Sequence, residues 1–98
     1  MESKATVIWR TKAEKSLQNI YNFIANDSVA NAGNYIDRMI SFGHSLADFP
    51  DKYPTCRQNK FAKRNLRCAA FHHTYIFVYK GVKSELIIYN VIHGKRLK

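Results

Sequence analysis

Residues 11–48 read TKAEKSLQNIYNFIANDSVANAGNYIDRMISFGHSLAD, and the spacing of their apolar side chains decides the architecture. Ala13, Leu17, Ile20, Tyr21 and Ile24 recur at steps of three and four, which sets them on one face of a helix. This predicts a first helix over 12–26. Thr11 and Glu14 have capping-box spacing: the hydroxyl takes an orphan helix N–H while the carboxylate reaches back to the cap residue. Asn26-Asp27-Ser28 forms a turn in which Asp27 or Ser28 can cap the next helix. Val29, Ala32, Ile36, Met39, Ile40, Gly43, Leu46 and Ala47 keep helical spacing to about residue 48, where Phe49-Pro50 stops it. Two amphipathic helices joined this tightly lie antiparallel, and their polar outer faces imply that both cover one side of something flat.

The flat element comes from the flanking sequence. Ala5–Trp9 is β-branched and aromatic and reads as a first strand. Asp51–Asn65, with Pro54 and several basic groups, reads as an irregular or extended loop. Leu66–Ala70 and Thr74–Lys80 follow as strands around a His72-His73 turn. After a turn at Lys80–Ser84 comes a last strand to Ile92, apolar on both faces at Leu86–Tyr89 as a central strand should be. The order β-α-α-β-β-β defines an α+β single domain over 1–98, a helical hairpin on a mostly antiparallel sheet.

Charge is divided unevenly along the chain. Residues 1–51 hold five basic groups (Lys4, Arg10, Lys12, Lys15, Arg38) against six acidic ones. Residues 52–98 hold eleven basic groups and only Glu85 on the acidic side, so the net +9 arises entirely in the second half. Such a field favours a nucleic acid or an acidic protein segment as partner. The apolar runs are too short to span a membrane, and the N-terminus lacks the pattern of a signal peptide, so a soluble cytoplasmic protein is expected.

Most familiar chemistry is excluded. Cys56 and Cys68, separated by eleven residues with no C-x-x-C pair, are expected to be free cysteines and not part of a zinc site. No metal and no cofactor are expected. There is no G-x-S-x-G turn, no carboxylate pair in the basic half, and no glycine-rich phosphate loop. RNA cleavage through the 2′-hydroxyl needs neither metal nor carboxylate. For it, His93 is the candidate acid or base, Arg57, Arg67 and Arg96 the phosphate-neutralising groups, and Lys60, Lys63 and Arg64 the backbone holders. The alternative from the same residues is a solvated or partner-binding basic face. Tyr75, Phe77 and Tyr79 alternate along one strand face, as base-stacking groups or as core.

Several separated segments resemble the RelE/ParE superfamily of toxins from bacterial type II toxin–antitoxin modules. They are Ile8-Trp9 with the helix pattern Ala13–Ala25, Leu46-x-x-Phe49-Pro50, Arg57 and Arg67, Tyr75-Ile-Phe-Val-Tyr79, and Ile87-x-x-x-Val91-Ile-His-Gly-x-Arg96. Together they cover roughly residues 5–96. The resemblance implies the β-α-α-β-β-β fold and a cognate antitoxin that binds through an extended or helical, often acidic, segment. It also implies one of two targets. ParE-like members inhibit DNA gyrase, and the long hairpin and the closing Val91–Arg96 pattern look more like these. RelE-like members cleave mRNA on the ribosome, and Arg67, His93 and Arg96 would then be the catalytic candidates. Arg57, Lys60, Lys63, Arg64, Arg67 and Arg96 are the candidate effector or antitoxin contacts under either reading. A third reading is an inactive toxin that only binds its antitoxin and serves as co-repressor.

Overall fold

The computed structural model describes residues 5–97, without the side chains of Arg96 and Leu97. The chain runs β1 (Thr6–Trp9), α1 (Thr11–Ala25), α2 (Val29–Ser45), α3 (Asn59–Ala62), β2 (Arg67–Phe71), β3 (Tyr75–Val82) and β4 (Glu85–His93), closing in a 3₁₀ turn over Gly94–Leu97. The four strands form one sheet in the order β1-β4-β3-β2. β2, β3 and β4 are antiparallel neighbours, whereas β1 pairs parallel to β4, Thr6 with Glu85 through Trp9 with Ile88. The α+β reading and the element order are therefore observed, and β4 is the central strand its two-sided apolar sequence required.

The helical hairpin lies on one face of the sheet. Ala13 and Ile20 of α1 and Met39 of α2, with Leu46 beyond it, are buried against Phe77, Tyr79, Leu86, Ile88 and Val91. The buried positions are those of the apolar stripe, and each full burial of a Leu, Ile or Met side chain contributes about 1.5–3 kcal/mol. That outweighs any single cap, worth about 1 kcal/mol, and explains why α1 forms without the capping box expected of Thr11 and Glu14. Arg10, still extended, is the cap residue of α1, and no side chain caps the helix there. The strand causes this: the Arg10 N–H donates to the Ile88 carbonyl at 3.0 Å, so pairing persists to the residue where the helix begins. Thr11 is already the first helical residue. At α2 the expectation holds, since the Ser28 hydroxyl accepts from the Asn31 N–H.

Three other expectations change. The segment 51–65 is not wholly irregular, because Asn59–Ala62 closes one helical turn. β3 runs on to Val82, which shortens the following turn to Lys83-Ser84. The cysteines are not free: Cys56 and Cys68 form a disulfide. An isolated bridge pairs Thr55 with Arg67 and brings the two α-carbons within 4.9 Å. This ladder between a loop and a strand has no signature in the cysteine spacing. The disulfide belongs to a second, smaller cluster on the sheet face away from the helices, where Cys56, Leu66 and Val78 are buried with Phe61, Tyr89 and Ile92 around them.

The close approach of hairpin to sheet depends on Gly43. A β-carbon there would lie 2.6 Å from Cη2 of Trp9 and 3.1 Å from the side chain of Ile88, whereas one at Gly33 in the same helix would meet nothing within 4 Å. Gly33→Ala is expected to stabilise the protein by about 0.5–1 kcal/mol through helix propensity. Gly43→Ala is expected to destabilise it by about 1–2 kcal/mol through overpacking of the indole. Urea unfolding of the two variants reads the opposite signs directly. Protein unfolded without reductant should show no free thiol, and Cys56→Ser with Cys68→Ser should lower stability by about 2–3 kcal/mol through the freed loop. Two thiols still titratable after treatment of the folded protein with oxidised glutathione would dispose of the bridge.

Candidate functional site

The basic residues of the second half do not form one patch. Arg67 leaves the edge strand β2 on the helix side of the sheet, donates to the Tyr53 carbonyl, and lies 3.3 Å from the Asp51 carboxylate. Asp51 is 92% exposed, so the ion pair adds little, and the hydrogen bond to Tyr53 is what fixes the loop. His93, at the far end of β4, packs edge-on against Tyr75 at 5.4 Å and accepts the Lys95 N–H on Nδ1. Arg67 pairs with Tyr79 and His93 with Tyr75, so four residues of strand and two strand spacings separate them, roughly 16 Å. Two groups that distant do not serve one phosphate. Arg96 falls in the closing 3₁₀ turn, and its side chain lies outside the described residues. Arg57 and Lys63 are exposed on the segment leading to β2.

Lys60 and Arg64 are brought together with two residues that the charge count had set aside. On the face away from the helices, a cleft of about 320 Å³ is lined by Arg10, Lys12, Arg64, Phe61, Tyr89 and Asn90. It continues into a second hollow of about 420 Å³ that shares Lys12 and Arg64 and adds Lys60 and Gln58. The start of α1 forms one wall, α3 and its following turn the other, and β4 the floor. The floor is shaped by a β-bulge. Val78 pairs with Asn90 and Tyr79 with Ile88, which leaves Tyr89 as the unpaired extra residue. Its ring holds both guanidinium groups, with Arg10 Cζ 5.3 Å and Arg64 Cζ 5.0 Å from the centroid. Asn90 is anchored on its other side, where its side-chain oxygen accepts from the Ser16 hydroxyl and the Val91 N–H, both at 2.8 Å. Among the described residues no acidic side chain lines either hollow.

Sequence reasoning missed Arg10 and Lys12 because they lie in a half of the chain with balanced charge. The available signal was positional: a residue directly after β1 must emerge beside whichever strand β1 pairs with. Of the aromatic row, Phe77 and Tyr79 are fully buried core on the helix side and unavailable for stacking on a ligand. Among the described residues no group of three His, Cys, Asp or Glu side chains is placed to hold a metal ion.

An antiparallel helical hairpin on a β1-β4-β3-β2 sheet is an α+β architecture of the RelE/ParE kind. The family model for the ParE toxin of the type II toxin–antitoxin system parDE matches residues 7–98, and the chain belongs to that family. Among solved structures, the chromosomal ParDE TA system from P. aeruginosa superposes with a TM-score of 0.76 at 12% identity, covering 92% of this chain and 96% of that one. A comparison with curated protein sequences finds no match.

Tyr79 links loop, core and pH. Burial pushes its hydroxyl up to about 12, against the opposing pull of Arg67, and the neutral group donates to the Pro50 carbonyl at 2.9 Å. A pKa raised in the fold means that the stabilisation is complete below about pH 10 and is lost as pH climbs towards 12. Tyr79→Phe should therefore be less stable than the parent at pH 8, by about 1 kcal/mol, and lose less stability between pH 10 and 12. Equal slopes for parent and variant in that window would remove Tyr79 from the alkaline transition.

Proposed function

We propose that this ParE-family chain is the active toxin of its module, that it inhibits DNA gyrase, and that a cognate antitoxin neutralises it through an acidic segment. The observation that carries the reading is the family match over residues 7–98. The geometry supports inhibition by binding: Arg67 is engaged in holding the Tyr53 loop, and His93 lies at the other end of the sheet. A ribosome-dependent endoribonuclease that used Arg67, His93 and Arg96 together would have to draw them into one site. A co-repressor without toxicity is the remaining alternative.

Arg57 and Lys63, exposed and outside the cleft, together with Arg96, are the proposed contacts for the antitoxin's acidic segment. Charge-assisted pairs of this kind are each worth a few kcal/mol where desolvated. We place the toxin in the cytoplasm with its target. No helix among the described residues is long and apolar enough to cross a membrane. The glutathione-poised cytoplasm keeps thiols reduced, so there Cys56 and Cys68 act as two packed thiols and the bridge closes on oxidation.

Purified toxin added to gyrase and relaxed plasmid should abolish supercoiling, and addition of the antitoxin should restore it. In a parallel cell-free translation reaction, message should stay intact. Unaffected supercoiling with new mRNA 5′ ends confined to translated message would transfer the chain to the ribonuclease reading. Supercoiling and message both untouched, with no growth arrest on strong expression, would leave the co-repressor.

A further inference from the structure

The cleft between α1 and α3 has a feature that the ParE-family reading does not explain. Four cations, Arg10, Lys12, Lys60 and Arg64, face it from two walls, and among the described residues no carboxylate lines it. The two arginines are tethered to the same ring, within 5.3 Å of the Tyr89 centroid. Each cation–π contact is worth about 0.5–1 kcal/mol at an exposed site, enough to bias both guanidinium groups toward the cleft without neutralising them. Tyr89 thus gathers two positive charges at one point of the cleft. The floor and walls add neutral polar groups, the amides of Asn90 and Gln58 and the hydroxyl of Thr11.

We infer that this cleft binds the phosphodiester backbone of a nucleic acid, with Arg10 and Lys12 on one side of the strand and Lys60 and Arg64 on the other. The choice between nucleic acid and acidic protein rests on charge density. A polynucleotide meets all four cations whatever its sequence, because every residue carries a charge. A peptide meets them only if four neighbouring side chains are acidic. A guanidinium also offers phosphate oxygens paired N–H donors in a planar fork. The inference stands apart from the identity of the enzyme the toxin stops.

Fluorescence anisotropy of the full chain with a labelled 20-nucleotide single strand, DNA and RNA of matching sequence, tests it. With four phosphates neutralised, log K should fall with log salt at a slope of about −3, at roughly 0.7 per contact for single strands. The double variant Arg10→Glu/Arg64→Glu should weaken binding at least tenfold and flatten the slope by about 1.4, the share of two contacts. Lys12→Glu/Lys60→Glu, which leaves the Tyr89 contacts alone, should do the same. Arg38→Glu/Lys83→Glu makes the same charge change away from the cleft and should keep affinity within about twofold. Equal losses in all three variants would assign the binding to net charge and overturn the inference. Absence of binding at 50 mM salt would overturn it as well. Displacement of the oligonucleotide by poly-glutamate at equal charge concentration would hand the cleft to an acidic protein segment instead.

Discussion

The parallel pairing of β1 with β4 is the constraint on which the rest of the structure depends. Four residues at the start of the chain find their partner in Glu85–Ile88, and that registry fixes where the hairpin must cross. A parallel connection cannot be made by a tight turn. The chain leaves Trp9, folds α1 and α2 over one face, and only later builds β2, β3 and β4 beside β1. Trp9 then stands under α2, where Gly43 makes room for the indole. The same pairing sets Arg10 and Lys12 next to Tyr89, so the basic cleft is a by-product of the strand registry.

Much of the fold was legible. Helical spacing in residues 11–48 marked the hairpin and its buried stripe, and the unbroken apolar run at Leu86–Tyr89 marked a central strand. The misreadings have definite causes. Thr11 looked like a cap because local sequence cannot show that the strand hydrogen bond of Arg10 extends to the helix start. The cysteines looked free because their meeting depends on one isolated bridge between a loop and an edge strand. Lys60 and Arg64, candidates from charge, do line one cleft, but Arg67 was grouped with them although strand alternation turns it to the other face. Adjacent residues in a strand share no surface, so a basic run that crosses from α3 into β2 divides between two sides of the molecule.

The two faces of the sheet are built by different means. The helix side is a dense aromatic and aliphatic core, with Phe77 packed among Trp9, Phe42 and Phe71. Among the described residues, no layer of regular structure covers the opposite side beyond one helical turn. A single helical turn, one disulfide and a few side chains around Val78 seal part of it, and the remainder opens as the cleft. A face finished so sparingly has little to rearrange.

The registry of the first strand with the last also governs when the molecule comes into being. During synthesis Thr6–Trp9 must wait for some eighty further residues before their partner strand leaves the ribosome, and the hairpin meanwhile has no sheet to cover. The cleft, walled by α1 and α3, has no floor until β4 is in place. Any chain cut short before β4 accordingly carries neither a finished core nor a gathered set of cations.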